Sequence, residues 1–301
     1  MYICHSKLKA LTRFLFIVNP KSGTTTKNRI VEKIRSSFSE NEYTIQYTNG
    51  PRHATELASE FARKNGDTVV ATGGDGTINE IAQAICDSDT KMAIIPCGSG
   101  NGLAGHLGIS KEVDKAIQII KSGHTKPMDL IRINGHICCN TTGLGFNAYV
   151  AKRFAESHAR GFKTYLQIGL LDFGRYQPFA CSMEHLRFND LLTLEIANSS
   201  QLGNRAIISK YSLVSDGKAE IITLQKPNII DVPRILTRVF AGKLHLDKNS
   251  ELVSFEKATL RTDRNVELHI DGEFIMESDL FEVEVLPRQL SVYIPEKDSL
   301  H

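Results

Sequence analysis

Apolar positions follow two different rhythms along this chain. From Phe14 to Gly123, short β-branched or aromatic runs alternate with segments whose apolar residues recur at helical spacing. Phe14–Val18, Tyr43–Tyr47, Thr68–Ala71 and Met92–Ile95 read as strands. Helices are expected between them over about Thr26–Ser37, His53–Asn65, Ile78–Ile85 and Glu112–Lys121, the last stopped by Gly123 and Pro127. In His53–Asn65, Ala54, Leu57, Ala58 and Phe61 share one face. Strand–helix alternation with short connections predicts a parallel sheet that gathers its ligand loops at the carboxyl ends of the strands.

From Pro127 onward the rhythm is that of strands. Met128–Ile133 and His136–Asn140 flank Asn134-Gly135, a hairpin signal. Leu191–Ala197, Ala219–Leu224, Ala258–Thr262, Glu267–Ile270, Phe281–Leu286 and Leu290–Ile294 are β-branched or alternating. Helical patterns interrupt them at about Ala148–His158, Lys163–Phe173 and Val232–Gly242. The expected architecture is an α/β nucleotide-binding domain with a parallel sheet over residues 1–126. A mainly antiparallel β-sandwich with helical insertions follows over 127–301, and the extreme C-terminus is able to pack back on the first domain.

Composition narrows the class. The 301 residues are enough for two cores, and 41% hydrophobic with 23% charged content is ordinary for a soluble globular protein. A formal net charge of +2 lacks the basic excess of a nucleic-acid binder. The six cysteines, Cys4, Cys86, Cys97, Cys138, Cys139 and Cys181, form no C-x-x-C pair and suggest free thiols in a reducing compartment. Met1–Ala10 has no signal-like apolar centre, and no apolar run approaches the ~20 residues of a membrane span. The expectation is a cytoplasmic protein that touches a membrane at most from one side.

Candidate chemistry sits in loops that follow the strands. Ala71-Thr-Gly-Gly-Asp-Gly-Thr77 places Gly73, Gly74 and Gly76 where backbone N–H groups can turn toward a phosphate. Thr77 suits the N-cap of the helix behind it, and Asp75, at the loop apex, is placed to hold Mg²⁺ or a ribose. Pro96-Cys-Gly-Ser-Gly-Asn-Gly102 offers Gly98, Gly100 and Gly102 for close approach, with Ser99 and Asn101 as hydrogen-bonding groups. Asn19-Pro-Lys-Ser-Gly23 adds Lys21 as a point charge. Each could be a plain turn; three on one sheet edge favour a nucleotide site.

No G-x-x-x-x-G-K-[ST] occurs, which excludes a P-loop NTPase. Gly143-Leu-Gly-Phe-Asn-Ala148 matches G-x-G-x-x-A but opens no βαβ unit, so it reads as a tight turn or a substrate-side loop. In Leu268-His-Ile-Asp-Gly-Glu-Phe274 a strand delivers Asp271 and Glu273 around Gly272, on one side if the segment is extended; the alternative is a simple Asp-Gly hairpin turn. Asp216-Gly-Lys-Ala-Glu220 is a similar turn whose Asp216 can ligate a metal alongside backbone carbonyls.

Together, Asn19–Gly23, Gly73–Thr77 with Asn79-Glu80, Pro96-x-Gly-Ser-Gly-Asn101, Gly143-x-Gly-Phe146 and Asp271-Gly-Glu273 resemble the diacylglycerol-kinase catalytic-domain family, which includes bacterial soluble lipid kinases and sphingosine kinases. The Gly-Gly-Asp-Gly-Thr element is shared with NAD kinases and phosphofructokinases, so the first domain is expected to be of that kind. The resemblance implies ATP in the interdomain cleft and Mg-dependent phosphoryl transfer to a lipid hydroxyl. It implies nucleotide contacts at Asn19, Pro20, Lys21, Ser22, Gly23, Thr48, Gly73, Gly74, Asp75, Gly76, Thr77, Ile78, Asn79, Glu80, Gly98, Ser99 and Asn101. Asp271 or Glu273 is implied as the catalytic carboxylate, with the other its partner. A structural Mg²⁺ is implied near Asp216, with the carbonyls of Leu213 and Lys218. Ser99 stands where many bacterial members have Thr, and Glu220 where an Asp is frequent; both exchanges keep the chemistry and leave the acceptor open.

A lipid substrate implies peripheral contact with the inner face of a membrane. Candidate docking elements are Pro233–Leu246, where Ile235, Leu236, Val239 and Phe240 group against Arg234, Arg238 and Lys243, and Lys152-Arg153 with Arg160 and Lys163. Each is equally an ordinary helix face. A homodimer is compatible with the reading. The competing functions are a soluble-substrate kinase of the NAD-kinase type and a nucleotide sensor without catalysis.

Overall fold

The computed structural model describes residues 14–23, 27–157, 162–203 and 205–296. Cys4, Thr26, His158 and Arg160 lie outside the described residues, as does the side chain of Lys163.

The first part of the chain runs β1 (Phe14–Val18), α1 (Lys27–Ser37), β2 (Tyr43–Tyr47), α2 (His53–Arg63), β3 (Thr68–Gly73), α3 (Asp75–Ile85), β4 (Lys91–Pro96), α4 (Gly102–His106) and α5 (Val113–Ser122). β2, β1, β3 and β4 lie side by side, each pair parallel. Side chains alternate between two apolar layers because a strand's period is two. Ile17, Val69 and Ile94 pack with Ile78, Ile81 and Ile85 of α3 on one face. Phe16, Val70 and Ile95 pack with Ile30 and Ile34 of α1 and Ile117 and Ile120 of α5 on the other. Burial on both faces explains why these strands read as continuous apolar runs.

The second part runs β5 (Thr125–Ile133), β6 (His136–Cys138), β7 (Thr141–Gly145), α6 (Phe146–Glu156), α7 (Phe162–Asp172), β8 (Phe179–Met183), β9 (Leu186–Ala197), β10 (Gln201–Gly203), β11 (Ala206–Ile207), β12 (Ala219–Gln225), α8 (Val232–Phe240), β13 (Ser250–Phe255), β14 (Lys257–Ile270) and β15 (Glu273–Tyr293). Their pairings with one another are antiparallel, over a core that includes Leu144, Phe179, Leu194, Leu268 and Phe281.

Two sequence expectations change. The breaks expected after Thr262 and after Leu286 do not end strands; β14 and β15 continue through them with register shifts between Arg261 and Val266 and between Leu286 and Leu290. A bulge absorbs extra residues without ending the ladder, so the polar Asp263–Asn265 and Pro287-Arg288 stretches interrupt the apolar rhythm but not the strand. Nor are there two separate sheets. Ten strands follow one another in the order β13-β12-β9-β7-β14-β15-β4-β3-β1-β2, and β5, β6 and β8 complete a sheet of 13 strands that is mostly antiparallel. The join is β15, whose Val292 pairs in parallel with Met92 of β4 and whose Tyr293 hydroxyl meets Thr68 Oγ1 at 3.2 Å.

Asp129 of β5, which the sequence did not single out, is a second fastener. It is fully buried; Oδ1 accepts from Arg288 N–H and Oδ2 from Gly217 N–H, both at 2.7 Å. One carboxylate thus ties the bulge in β15 to the turn that carries Asp216.

α8 also differs from expectation. Ile235 is buried in a small core with Ala197 and Ile222, and Val239 packs against it, while Leu236 and Phe240 point outward at 47% and 56% exposure. Arg234 and Arg238 are not free cations: both pair with the buried Asp247, and Arg234 also with Asp231. The one apolar face expected is two faces, because neighbouring apolar positions on a helix 100° apart cannot all point inward.

Candidate active site

Three loops meet at the carboxyl edge of the parallel strands. Asn19 N–H donates to Thr72 O, and Cys97 N–H to Gly73 O, which ties the loops after β1 and β4 to β3. A Cβ on Gly98 would stand 2.6 Å from Gly74 Cα, and one on Gly23, whose φ is +60°, would overlap the carbonyl of Cys97. The glycines therefore let three backbones touch, and that contact leaves the loop edge lined with main chain.

α3 begins earlier than its sequence suggests. Its cap is Gly74, with no capping side chain, and Asp75 opens the first turn instead of sitting at a loop apex. A carboxylate is favoured there by the partial positive charge of the helix end. Thr77 is not the cap; it is buried, and its Oγ1 accepts from Asn19 Nδ2 at 3.0 Å. Asp75 Oδ2 accepts from Asn101 N–H at 2.8 Å. Burial pushes the Asp75 carboxyl up, against the N–H groups of Asn101, Gly102 and Leu103 at the start of α4. Its Oδ1 is buried without a hydrogen-bond partner.

The other implied nucleotide residues divide. Pro20, Lys21, Ser22 and Ser99 stay at the loop surface. Asn101 braces its own loop, exchanging hydrogen bonds with Gly98 through Oδ1 and Nδ2. Thr48 is buried just past β2, its N–H on Val18 O. Ile78 is core, so it offers no side chain to a ligand. Asn79 spans to the other half, with Nδ2 donating to Ile137 O and Oδ1 accepting from Cys139 N–H, both at 3.0 Å. Glu80 Oε2 accepts Ala54 N–H at the start of α2. Two cations went unnoticed in the sequence: Lys27 Nζ reaches Ser22 O at 2.6 Å, and Lys111 Nζ reaches Ser99 O at 3.5 Å. Lys27 stands four positions past Gly23, a spacing that could have drawn attention to it.

Facing these loops is the turn between β14 and β15. Asp271 and Gly272 have φ of 50° and 80°, and Ile270 pairs with Glu273, so this is a two-residue hairpin and the two acids are not on an extended segment. Asp271 N–H donates to Thr141 O at 2.9 Å, and Thr141 N–H donates back to Asp271 Oδ1 at 3.0 Å. Glu273 Oε1 lies over Gly76, 2.6 Å from where a Cβ would stand. Burial holds the Asp271 carboxyl well above its usual range, with the negative charges of Asp75 and Glu273 adding to it. Burial, and then Glu80, also push Glu273 up. Asp75 from one half and Glu273 from the other thus both bear on Asp271 across one cleft, a repulsion that a cation there would relieve.

The remaining candidates lie apart from this cleft. Asp216 is exposed, with Oδ1 accepting from Lys218 N–H at 3.1 Å, and Leu213 is 58% exposed. Burial pushes Glu220 up, Asp216 adds to the shift, and Glu220 Oε2 is buried without a partner. Among the described residues no three His, Cys, Asp or Glu side chains converge as a ligand cluster, so an ion at Asp216 would need carbonyl oxygens as well. The G-x-G-x-x-A segment is a strand-to-helix turn from β7 into α6, with Gly145 at φ 94°.

The sign of these shifts yields a stability test. A carboxyl whose folded pKa is raised gives stability that is full at low pH and lost as pH rises through the folded value. Asp271→Asn keeps an acceptor for Thr141 N–H and removes the charge. The nucleotide-free variant is expected to melt several degrees higher than the wild type at neutral pH. An equal or lower melting temperature would show that the turn needs the ionised group.

Each half of the chain is similar to a known family. Residues 13–133 match the diacylglycerol kinase catalytic domain, and residues 140–294 match the YegS C-terminal NAD kinase beta sandwich-like domain. Curated relatives called "Probable lipid kinase YegS-like", from Yersinia pseudotuberculosis serotype I (strain IP32953) and Yersinia pestis (strain Pestoides F), are each 26% identical over 292 residues, covering 93% of this chain and 96% of theirs. A crystal structure of a diacylglycerol kinase from Bacillus anthracis str. Sterne shares the fold, with a TM-score of 0.73 at 21% identity over 94% of this chain and 97% of that one. With both halves matched in order across nearly its whole length, the chain belongs to the diacylglycerol-kinase catalytic-domain family of YegS-like kinases.

Proposed function

We propose that this protein transfers the γ-phosphoryl group of ATP to the hydroxyl of a lipid, diacylglycerol-like or sphingoid-like, at a membrane surface. The observation that carries this reading is the meeting of Glu273 and Asp271 with the Gly73–Thr77 loop, which sets acids beside a phosphate-binding edge. Phosphoryl transfer demands positioning and charge neutralisation above all. Loop amides and the first turn of α3 would hold the phosphates, with Lys21, Lys27 and Lys111 at the rim. The orphaned Asp75 Oδ1 and the crowded Asp271 suit Mg²⁺, which would neutralise phosphate charge when bound. Asp271 Oδ1 is already engaged by Thr141, whereas the Glu273 side chain makes no hydrogen bond or ion pair among the described residues, so Glu273 is assigned as the base that orients the acceptor hydroxyl and takes its proton.

Glu273→Gln is expected to lower kcat by about 10²–10⁴-fold with the KM for ATP unchanged. Because Glu273 is pushed up, wild-type kcat should rise with pH through a midpoint above the ordinary ~4.3 of glutamate. Near-normal turnover in the variant would return the acids to a plain hairpin turn. Phosphorylation of NAD⁺ with diacylglycerol and sphingoid bases both ignored would replace the lipid reading.

The Asp216 turn is proposed to hold a structural Mg²⁺ through its carboxylate and the carbonyls of Leu213 and Lys218. The support is the unpartnered Glu220 Oε2 and the charge it shares with Asp216. Millimolar Mg²⁺ should then raise the melting temperature of the wild type and not of Asp216→Ala; an equal response in both removes the site.

The outward side of α8 is proposed as the face that docks on an anionic membrane. Leu236 and Phe240, one turn apart on α8, are 47% and 56% exposed, and Ile229 and Ile230, in the turn that leads into the helix, are 60% and 83% exposed. The nearby acids Asp231 and Asp247 are neutralised by Arg234 and Arg238, which leaves Lys243 and Lys248 as the exposed charges beside it. An apolar stripe edged by cations complements an acidic headgroup layer. Vesicles of phosphatidylglycerol should recruit the wild type, less so in high salt, and Leu236→Glu with Phe240→Glu should weaken recruitment. Unaltered recruitment by that double variant would exclude α8.

A further inference from the structure

Beneath the Asp271–Glu273 turn lies a buried ion-pair geometry that the proposed reaction does not use. His269 and Glu195, with side chains 3% and 4% exposed, approach at 3.1 Å between Nε2 and Oε2. The other ring nitrogen, Nδ1, faces Gly272 N–H at 3.3 Å. An N–H pointing at Nδ1 requires a lone pair there, which puts the ring proton on Nε2, where Glu195 accepts it. The carboxylate therefore sets the tautomer that lets the ring grip the middle of the acidic turn.

Glu195 also reaches α6. Its Oε1 accepts from Asn147 Nδ2 at 2.7 Å, in the first turn of α6, and from Thr193 Oγ1 at 2.9 Å. A Cβ on Gly143 would stand 2.5 Å from Glu195 Oε2, so the absence of a side chain in the Gly143–Phe146 turn is what admits the carboxylate. Thr142 Oγ1 donates to His269 O at 2.6 Å and holds the histidine backbone. A buried carboxylate is a costly way to join strands, since apolar side chains of similar size would do so without desolvation. Apolar side chains could not fix a tautomer.

We propose that His269, oriented by Glu195, is a positioning residue that holds the Asp271–Glu273 turn and links it to the loop opening α6. The inference rests on the kinase reading for its effect on turnover, and on geometry alone for its effect on the turn. Misplacing a catalytic group by an ångström can cost on the order of 10²-fold in rate.

Two substitutions separate the two ends of the ring. In His269→Asn the amide oxygen can stand where Nδ1 stands and accept from Gly272, but the link to Glu195 is lost. In His269→Gln the amide nitrogen can reach Glu195, but the grip on Gly272 is lost. His269→Gln should lower kcat by about 10–100-fold with the KM for ATP unchanged. His269→Asn should keep the larger share of kcat while having the lower melting temperature, because it leaves Glu195 Oε2 buried without a donor. The two variants thus rank in opposite order for turnover and for stability. Ranking alike in both would make the pair a structural fastener and overturn the proposal. Amide exchange at Gly272 reads the positioning without any turnover: faster exchange in His269→Gln than in His269→Asn supports it, and equal or reversed rates overturn it. A wild-type protein that turns over ATP with no lipid acceptor defeats the kinase reading and leaves the exchange comparison to decide the inference.

Discussion

β15 is the constraint on which the site depends. One strand begins at Glu273, over the Gly73–Thr77 loop, and ends at Tyr293 beside β3 and β4 of the parallel sheet. Twenty-one residues of strand reach about 70 Å if fully extended. Because every rung of its ladders with β14 and β5 sets register, the carboxylate at its start has little freedom to drift from the loop it faces. Asn79 adds a cross-link from α3 to β6, and Asp129 pins the bulge that lets β15 change partners. A cleft between two independently moving bodies would give no such definition.

Holding acids in that cleft works against folding. Burial pushes Asp75, Asp271 and Glu273 toward their neutral forms, the charges of Asp75 and Glu273 add to the shift at Asp271, and Asp75 Oδ1 has no partner. Such an arrangement persists when the surrounding structure over-determines it, here through the reciprocal Asp271–Thr141 bonds and the Asn101–Asp75 contact. The Mg²⁺ proposed for this cleft would supply the opposite charge. The same environment would make a carboxylate near neutral pH a better proton acceptor than an exposed one.

The surface shows a related division of labour. α8 spends its arginines on a buried aspartate and presents Leu236 and Phe240 to solvent, the reverse of what a solvated helix face normally does. Internal ion pairing therefore frees an apolar stripe with cations at its rim, adjoining the β11 strand through the contact of Gly242 with Ile207. β10 in turn meets the loop after β4, where Gly203 approaches Gly100. The stripe and the glycine loops are connected through one short ribbon.

Local chemistry carried much of this in the sequence. The β-branched runs of β1, β3 and β4, the glycine loops after them and the Asn134-Gly135 hairpin are governed by neighbours a few residues away, and period and turn residues make them legible. The start of α3 was misplaced because Thr77 looks like a cap, and only the packing of Asn19 shows that its hydroxyl is used across the sheet edge. Asn79 and Glu80 looked like ligand groups because they sit in a glycine motif; their partners at Ile137, Cys139 and Ala54 are distant in the chain or on another element. Asp129, Glu195 and His269 carry no motif at all, since a buried polar side chain announces itself only through the N–H or ring nitrogen that satisfies it. What the sequence determined alone was the parallel strands, the helices between them and the glycine loops that follow them. Which carboxylates meet, which side chains brace them, and that one strand joins both halves were decided by tertiary contacts, because those interactions join residues that no local spacing relates.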